Sequence, residues 1–164
     1  MNFVSIILGS KCDYEIMKHC VDTFEKFNVR YELIISSAHR SSARTKTYIK
    51  EAEEKGAVAF IAASGMAAHL AGALAAITTK PVIGVPMKGG AMDGMDAMLS
   101  TVQMPAGMPV GTLALGKSGA INAAYFAMQI LAISDKELAI KLKEDRIVQA
   151  KKVETDSKEI EVIL

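Results

Sequence analysis

Large aromatic residues and proline are scarce in this 164-residue sequence, which has no Trp, 5% aromatic residues and four Pro. Because few rings are available to fill an interior, the core has to be built from Ala, Ile, Leu, Val and the ten Met. This composition favours helices that pack closely on a sheet. The length suits one domain, and no linker, low-complexity tract or internal repeat divides it. We predict one domain over residues 1–155 and a C-terminal tail over residues 156–164.

An excess of either charge is also absent, since 19 basic and 18 acidic residues leave a formal net charge of +1. That balance gives no electrostatic reason to expect binding to nucleic acid or to an anionic membrane surface. No apolar run reaches the length of a membrane span, and the first residues lack the basic start and the apolar length of a signal peptide. We therefore predict a cytoplasmic protein whose partners are small molecules or copies of itself.

Cysteine is limited to Cys12 and Cys20. A chain of this size needs no covalent staple, and a reducing compartment keeps thiols free, so we predict no disulfide. The two residues also lack the paired spacing that is typical of a zinc site. We predict no bound metal.

The sequence does contain an alternation of two hydrophobic periods. Short β-rich apolar runs are each followed by apolar residues at helical spacing. Predicted strands cover residues 4–8, 31–36, 58–63, 82–85 and 111–115, and predicted helices cover residues 42–55, 67–77, 117–131 and 135–152 after a first helix marked by Ile16, Met17, Cys20, Val21, Phe24 and Phe27. Helices between short buried strands are typical of right-handed βαβ crossovers. The pattern predicts an α/β fold with a doubly wound parallel sheet and additional C-terminal helices.

The residues that follow each predicted strand are informative, because ligands of open α/β sheets bind at the carboxyl ends of the strands. Residues 9–13, Gly-Ser-Lys-Cys-Asp, lead from the first strand onto the amino end of a helix. Free backbone N–H groups make such a turn attractive to a phosphate, and Gly9 allows close approach. The alternative is that Gly9 only turns the chain and that Ser10 or Asp13 caps the helix. No dinucleotide fingerprint or Walker loop is present, so no nucleotide cofactor is indicated.

The second predicted strand is followed by residues 36–41, Ser-Ser-Ala-His-Arg-Ser. The guanidinium of Arg40 offers a planar fork for phosphate oxygens. A histidine such as His39 can give and take a proton within one catalytic cycle. A solvated polar loop is the alternative, but the position of this segment beside the first loop favours proton-transfer chemistry on a phosphorylated small molecule.

The third predicted strand ends in residues 63–72, which are almost all small. Small side chains at a strand exit let the backbone wrap a flat ligand and leave a dry, apolar wall. His69 in this segment is either a second acid or base, or a histidine at a helix start that is hydrogen-bonded to backbone. His19 lies off the apolar stripe of its helix, and we assign it no role.

Four motifs occur in order along the chain: Gly-Ser-x-x-Asp at 9–13, Ser-Ala-His-Arg at 37–40, Ala-Ala-His-Leu at 67–70, and Gln-Met-Pro-x-Gly-x-Pro-Val-Gly-Thr-Leu at 103–113. Together they resemble the N5-carboxyaminoimidazole ribonucleotide mutase family over nearly the whole chain. The resemblance implies a flavodoxin-like, three-layer α/β/α fold and a role in de novo purine synthesis. It implies that a carboxylate moves from the exocyclic nitrogen of a phosphorylated ribonucleotide to ring carbon C4, with no cofactor. It also implies a homo-octamer with active sites near subunit junctions.

The resemblance assigns roles to particular residues. It makes His39 the general acid/base and places Ser10, Asp13, Ser37 and Arg40 around the ribose phosphate. The wider substrate-binding set that it implies adds Gly9, Lys11, Ser64, Gly65, Ala67, His69 and Leu70. Three positions depart from the family pattern, where Cys12 replaces Ser, Met66 replaces Gly and Ala71 replaces Pro, and we expect these changes to affect substrate affinity rather than to abolish activity.

Two other functions are open to a chain of this kind. A related class of the same fold carboxylates aminoimidazole ribonucleotide with free carbon dioxide, but it carries Ser-Ala-His-Lys and lacks Ala-Ala-His-Leu, so Arg40 and His69 favour the mutase. The other is a flavodoxin-like phosphate-binding or sensory module without catalysis. A response regulator needs a phosphorylatable Asp after the third strand, where Ser64 and Gly65 stand, and a flavin protein needs more aromatic residues than this chain has.

Overall fold

Five parallel strands form the centre of the protein. The computed structural model describes residues 2–162. The strands are β1 (Phe3–Leu8), β2 (Tyr31–Ile35), β3 (Ala57–Ser64), β4 (Val82–Pro86) and β5 (Gly111–Thr112). Their order in the sheet is β2-β1-β3-β4-β5, and every neighbouring pair is parallel. This is the flavodoxin-like order, whose direction reverses between β1 and β3. The predicted doubly wound sheet is confirmed.

Within residues 2–162, six α-helices accompany the strands. They are α1 (Tyr14–Phe27), α2 (Ser42–Lys55), α3 (Leu70–Ala75), α4 (Met95–Val102), α5 (Gly116–Ala132) and α6 (Lys136–Ile160). A 3-10 turn at Lys11–Asp13 leads into α1. Within residues 2–162, no helix combines the length and the apolar character needed to cross a bilayer.

The helices lie on both faces of the sheet. Ser5 of β1 is within hydrogen-bonding distance of Tyr48 on α2, 2.9 Å between the two oxygens, so this face of β1 meets α2. The opposite face carries α1 and α5, whose Phe27 and Tyr125 rings meet edge to face with centroids 5.7 Å apart. Because successive side chains of a strand point to opposite faces, each strand contributes to both layers. The result is the predicted three-layer α/β/α arrangement.

The interior is built from aliphatic side chains and Phe rings. Phe24 and Phe60 are completely buried, and the apolar residues of β1 are buried on both faces of the sheet. One contiguous cluster joins β1, α2, β3 and α3, and it contains Phe3, Ile7, Ile49, Ala52, Ala57, Phe60, Ala62, Leu70, Ala71, Leu74, Ala75 and Val82. Strands that are buried on both faces read as continuous apolar runs, which is why they are visible in the sequence.

Some element boundaries differ from the predictions. Helix α3 begins at Leu70 rather than residue 67, because Met66 and Ala68 have positive φ angles of 54° and 37° that a right-handed helix excludes. Strand β5 has two residues rather than five. Helix α6 continues to Ile160 rather than residue 152, so the predicted boundary at residues 155 and 156 falls inside a helix.

The backbone contacts divide the chain into two compact units. The first ends at Ala127 and contains the whole sheet, whereas the second begins at Met128 and consists of the end of α5 and all of α6. Every predicted site residue lies in the first unit. The prediction of one domain followed by a short tail stays a prediction.

Candidate active site

The first loop of the site, residues 9–13, is held by a reciprocal cap. The Ser10 hydroxyl accepts a hydrogen bond from the Cys12 backbone N–H at 3.2 Å, and the Ser10 backbone N–H donates to the Asp13 carboxylate at 3.0 Å. The Ser10 hydroxyl also lies 3.3 Å from the same carboxylate oxygen. Ser10 and Asp13 therefore cap the start of the helical segment, as the alternative interpretation of the sequence expects. Any contact that Ser10 and Asp13 make with a substrate has to leave these hydrogen bonds in place.

Gly9 lets this loop approach the end of β3. Its backbone N–H donates to the Ala63 carbonyl at 2.8 Å, and a Cβ atom at this position would lie 3.2 Å from the Cβ of Ser64. A larger residue would push apart the two loops that end β1 and β3. The absence of a side chain here serves packing at the carboxyl edge of the sheet.

The carboxyl group of Asp13 lies in a partly buried position. Burial raises its pKa above the ordinary range, and the two hydrogen bonds from Ser10 oppose that rise without cancelling it. Keeping Asp13 ionised in the folded protein therefore lowers the free energy of unfolding.

Replacing Asp13 with Asn should leave the melting temperature at pH 7 unchanged or slightly higher. Asn avoids burying a charge, and its amide oxygen can still accept both hydrogen bonds from Ser10. Because the folded-state pKa is raised, the cost of Asp13 is absent at low pH and grows as the pH rises through that pKa. In thermal denaturation, any rise in the melting temperature of Asp13→Asn over that of the unsubstituted protein should therefore shrink as the pH falls toward about 4. A clearly lower melting temperature for Asp13→Asn at pH 7 would contradict this account.

The second loop, residues 36–41, is held by hydroxyl groups. The Ser37 hydroxyl accepts from the Arg40 backbone N–H at 3.1 Å, and the Ser41 hydroxyl accepts from the Ser37 backbone N–H at 2.9 Å. The buried hydroxyls of Ser36 and Thr45 lie 2.8 Å apart. These bonds fix the backbone that carries His39.

Ser41 and Thr45 are the positioning residues of this loop that the sequence analysis missed. Ser41 precedes α2 but makes no side-chain cap, because its hydroxyl is used within the loop. Thr45 is a buried polar residue on the same helix face as Ile49 and Ala52. A hydroxyl on the apolar stripe of a short amphipathic helix is the sequence signal that identifies such a residue.

The side chain of Arg40 has no protein partner among residues 2–162. Its backbone is anchored by Ser37, but its guanidinium is exposed and makes no ion pair or hydrogen bond there. A planar cation of this kind is suited to bidentate binding of a phosphate or carboxylate. The structure therefore leaves Arg40 available to an anion.

The third loop brings two histidines together. His69 directly precedes α3, and its backbone carbonyl accepts from the Ala73 N–H at 2.9 Å. The side chain of His69 is bonded to another side chain rather than to backbone: its Nδ1 lies 2.7 Å from Nε2 of His39. The rings meet nearly perpendicularly, at 82°, with centroids 4.9 Å apart. Residues 30 positions apart in the sequence thus form one pair that joins the loops after β2 and β3, the two strands that flank β1 in the sheet.

The small residues of the third loop also form part of this edge. Ser64 and Gly65 are partly buried beside Met87, whose backbone N–H donates to the Ser64 carbonyl at 2.9 Å. Ala67 is exposed, whereas Leu70 is buried in the core. The side chain of Leu70 therefore packs under the loop.

Met66 takes a conformation that favours glycine. Its φ angle is 54°, and 64% of its side chain is exposed. A Cβ on Gly90 would lie 3.5 Å from the Met66 side chain, so Met66 reaches the glycine-rich loop of residues 88–94. That loop also carries an exposed ion pair between Lys88 and Asp93 at 3.5 Å, which contributes little to stability.

A cavity of about 360 Å³ opens beside the first loop. Its walls include Cys12 and Asp13 together with Lys88 and Lys117. Lys11 is exposed and does not line it. The cavity does not include the histidine pair or Arg40, and Asp13 is the predicted site residue that lines it, so the predicted site residues lie along the sheet edge rather than together in this pocket.

The thiols and the carboxylates of the chain make no metal cluster. Within residues 2–162, no group of three or more His, Cys, Asp or Glu side chains is placed to hold a metal ion. Cys12 is an exposed free thiol on the first loop, and Cys20 is a buried free thiol in α1. Burial raises the pKa of the Cys20 thiol far above its ordinary value, so this group is chemically inert in the folded protein.

The fold and the site define a flavodoxin-like α/β protein with a histidine pair at the carboxyl edge of its sheet and, next to it, a guanidinium that has no partner among residues 2–162. The chain belongs to the AIR carboxylase family, whose model matches residues 3–152. Similar proteins include the N5-carboxyaminoimidazole ribonucleotide mutase of Brucella melitensis, 47% identical over 92% of this chain and 93% of that protein. The N5-carboxyaminoimidazole ribonucleotide mutase of Bacillus subtilis is 50% identical over 87% of this chain and 88% of that protein.

Solved structures agree with this family assignment. The crystal structure of Treponema denticola PurE superposes with a TM-score of 0.88 over 99% of this chain and 100% of that chain, at 25% sequence identity. The predicted family resemblance is confirmed.

Proposed function

We propose that this chain converts N5-carboxyaminoimidazole ribonucleotide to 4-carboxy-5-aminoimidazole ribonucleotide in de novo purine synthesis, as an isomerase. The observation that carries the proposal is that His39 stands at the sheet edge, paired with His69, in a chain 47% to 50% identical to proteins that carry the mutase name. An exposed, unpaired Arg40 next to His39 supplies the cation that a ribose phosphate needs.

The chemistry needs one proton-transfer group. Protonation of the carbamate nitrogen by His39 breaks the N–C bond and releases carbon dioxide, leaving the neutral aminoimidazole. The enamine carbon C4 then attacks that carbon dioxide, and His39 takes the proton that C4 loses. One proton is delivered and one is recovered, so the histidine returns to its starting state.

Carbon dioxide has to be retained between the two steps. The small residues after β3, including Gly65 and Ala67, provide a wall without polar side chains. The loop of residues 88–94, which approaches the Met66 side chain at Gly90, is placed to cover them. Because the carbon dioxide stays beside C4, the second step needs no new encounter between separate molecules, and the entropic cost of that encounter is avoided.

The phosphate-binding group is the second part of the proposal. Arg40 and Ser37 bind the phosphate of the substrate, and Ser10 and Asp13 of the first loop line the same site together with Gly9, Lys11 and Ser64. The mutual cap of Ser10 and Asp13 supports this placement because it fixes the backbone of the loop at the carboxyl end of β1.

Assembly with copies of the same chain forms the third part. An apolar surface, the α4 surface, is exposed on this subunit and consists of Met92, Met95, Leu99, Val102 and Met108, each between 45% and 57% exposed. Exposed apolar area of this extent is typical of an interface. We propose that it is covered in a cytoplasmic homo-octamer, as the family resemblance implies.

The experiment that tests the function is a pair of assays without ATP. Purified protein is given N5-carboxyaminoimidazole ribonucleotide in one and aminoimidazole ribonucleotide with bicarbonate in the other, and formation of the C4-carboxylated product is followed. We expect efficient conversion of the first substrate and little use of the second at low bicarbonate. The reverse preference would replace the mutase with the carboxylase that uses free carbon dioxide, and no conversion of either would leave only a ligand-binding protein.

Replacing Arg40 with Ala should weaken substrate binding roughly 10- to 100-fold, the range for losing a hydrogen bond to a charged group. Turnover at saturating substrate should change much less, because the proposed partner of the guanidinium is the phosphate and not the reacting atoms. The Michaelis constant and kcat measure the two effects separately. Arg146→Ala, which removes an exposed Arg on α6, is the matched control and should change neither. Unchanged affinity in Arg40→Ala would remove Arg40 from the phosphate site.

A further inference from the structure

We propose that His69 is a positioning residue for His39: its side chain holds the imidazole of His39 in one orientation and one tautomer, so that Nδ1 of His39 is the atom that exchanges the proton. The inference rests on the proposed function, because it assigns a task to His69 within the same site.

The first support is the length of the contact. Nε2 of His39 and Nδ1 of His69 are 2.7 Å apart, which is within the range of a strong hydrogen bond. Two bare ring nitrogens would repel each other at this distance, so one of them carries the hydrogen. The near-perpendicular rings allow an N–H of one ring to point at the lone pair of the other.

The second support is that each ring depends on the other. Both side chains are exposed in this subunit, and within residues 2–162 neither makes another side-chain hydrogen bond. The backbones are anchored, His69 at the start of α3 and His39 in the hydroxyl-bonded second loop. Because the two backbones are anchored and the rings have no other side-chain hydrogen bond within residues 2–162, the hydrogen bond between the rings selects their orientation. Without it, His39 would populate several rotamers.

The polarity of the bond follows from the chemistry. If His39 donates through Nε2–H, its Nδ1 is bare and can accept a proton, and the resulting imidazolium keeps its bond to His69. If His69 donates instead, protonation of His39 on Nε2 has to break the bond. Only the first polarity allows His39 to act as base and as acid at one nitrogen while the contact persists. His69 is then the acceptor that keeps the ring of His39 in place in both of its protonation states, the same logic by which an orienting group serves a catalytic histidine.

The kinetic test compares two substitutions of His69. His69→Phe removes the acceptor, and we expect kcat to fall roughly 10- to 100-fold, with KM changed by less than about threefold. His69→Asn keeps a hydrogen-bonding atom near the position of Nδ1, and we expect it to restore most of the lost kcat. His19→Phe on α1 is the control and should leave both constants unchanged. A rise in KM at constant kcat would make His69 a substrate contact and overturn the proposal.

The second readout does not depend on activity. The chain has three histidines, so selective ¹⁵N-histidine labelling and solid-state NMR can resolve each ring, with assignment from the His19, His39 and His69 variants. We expect His39 in the intact protein, at a pH where its ring is neutral, to be protonated at Nε2 and bare at Nδ1, and to become a mixture of tautomers in His69→Phe. An identical His39 spectrum in His69→Phe would refute positioning even if the mutase assay failed. Failure of the proposed function would instead appear as a wild-type protein that converts neither substrate.

Discussion

Replacing His39 with Asn should lower kcat at least roughly a hundredfold, the lower range for loss of a general acid or base. Asn is polar and of similar size near the backbone, but it cannot take up or release a proton in this range of pH. The anchoring bonds of the second loop come from Ser37, Ser41 and Thr45 and do not involve the His39 side chain. The loop should therefore keep its shape, and substrate affinity should change little.

The measurement is steady-state turnover of N5-carboxyaminoimidazole ribonucleotide, with product binding followed by calorimetry. His19→Asn is the matched control, since it changes a histidine of α1 that lies outside the three loops. Turnover near the wild-type value in His39→Asn would remove this residue from the mechanism. It would also leave the histidine pair without its proposed task.

Replacing Gly119 with Ala should lower the free energy of unfolding by about 3 kcal/mol, the range of overpacking a core. Gly119 is buried in the second turn of α5, and a Cβ there would overlap the backbone carbonyl of Ala114 and lie 3.2 Å from a methyl of Val85. A carbonyl cannot rotate away as a side chain can, so the helix has to shift from β4. The expected sign is opposite to helix propensity, which favours Ala over Gly by about 1 kcal/mol.

Thermal unfolding at one fixed protein concentration tests this expectation, and a fall in the melting temperature of roughly 10 °C corresponds to the predicted loss. Gly111→Ala is the control, because a Cβ at Gly111 would make an ordinary 3.4 Å contact with the ring of Phe126. Equal stability of the two variants would show that α5 adapts to the extra methyl group without cost.

Residues 9–13 illustrate where sequence reasoning reached a limit. The segment favoured both an anion-binding turn and a simple cap, and the structure shows that Ser10 and Asp13 do cap each other. A cap and a ligand site use the same residue types at the same spacing, because both supply acceptors and donors at a helix start. The sequence pattern alone cannot separate them.

The helix after β3 illustrates a second limit. Residues 67–77 have the composition of a helix, yet α3 starts only at Leu70. The positive φ angles of Met66 and Ala68 lie in the turn that leads directly from β3 to α3, where the Ala68 backbone N–H donates to the Gly65 carbonyl at 3.0 Å. Such angles are selected by the surrounding chain against the local preference of Met and Ala, so propensity gives no sign of them.

The sequence by itself determined the fold class and the family. Strands β1, β3 and β4 are buried on both faces, so they appear as continuous apolar runs between helical periods, and the motifs at the strand ends lie where parallel strands expose ligand sites. Only the tertiary structure decided that His39 bonds to His69, that Arg40 is unpaired within residues 2–162, and that Ser41 and Thr45 hold the loop between them. These relations join side chains from different loops or depend on rotamers, and hydrophobic periodicity along the chain contains no information about either.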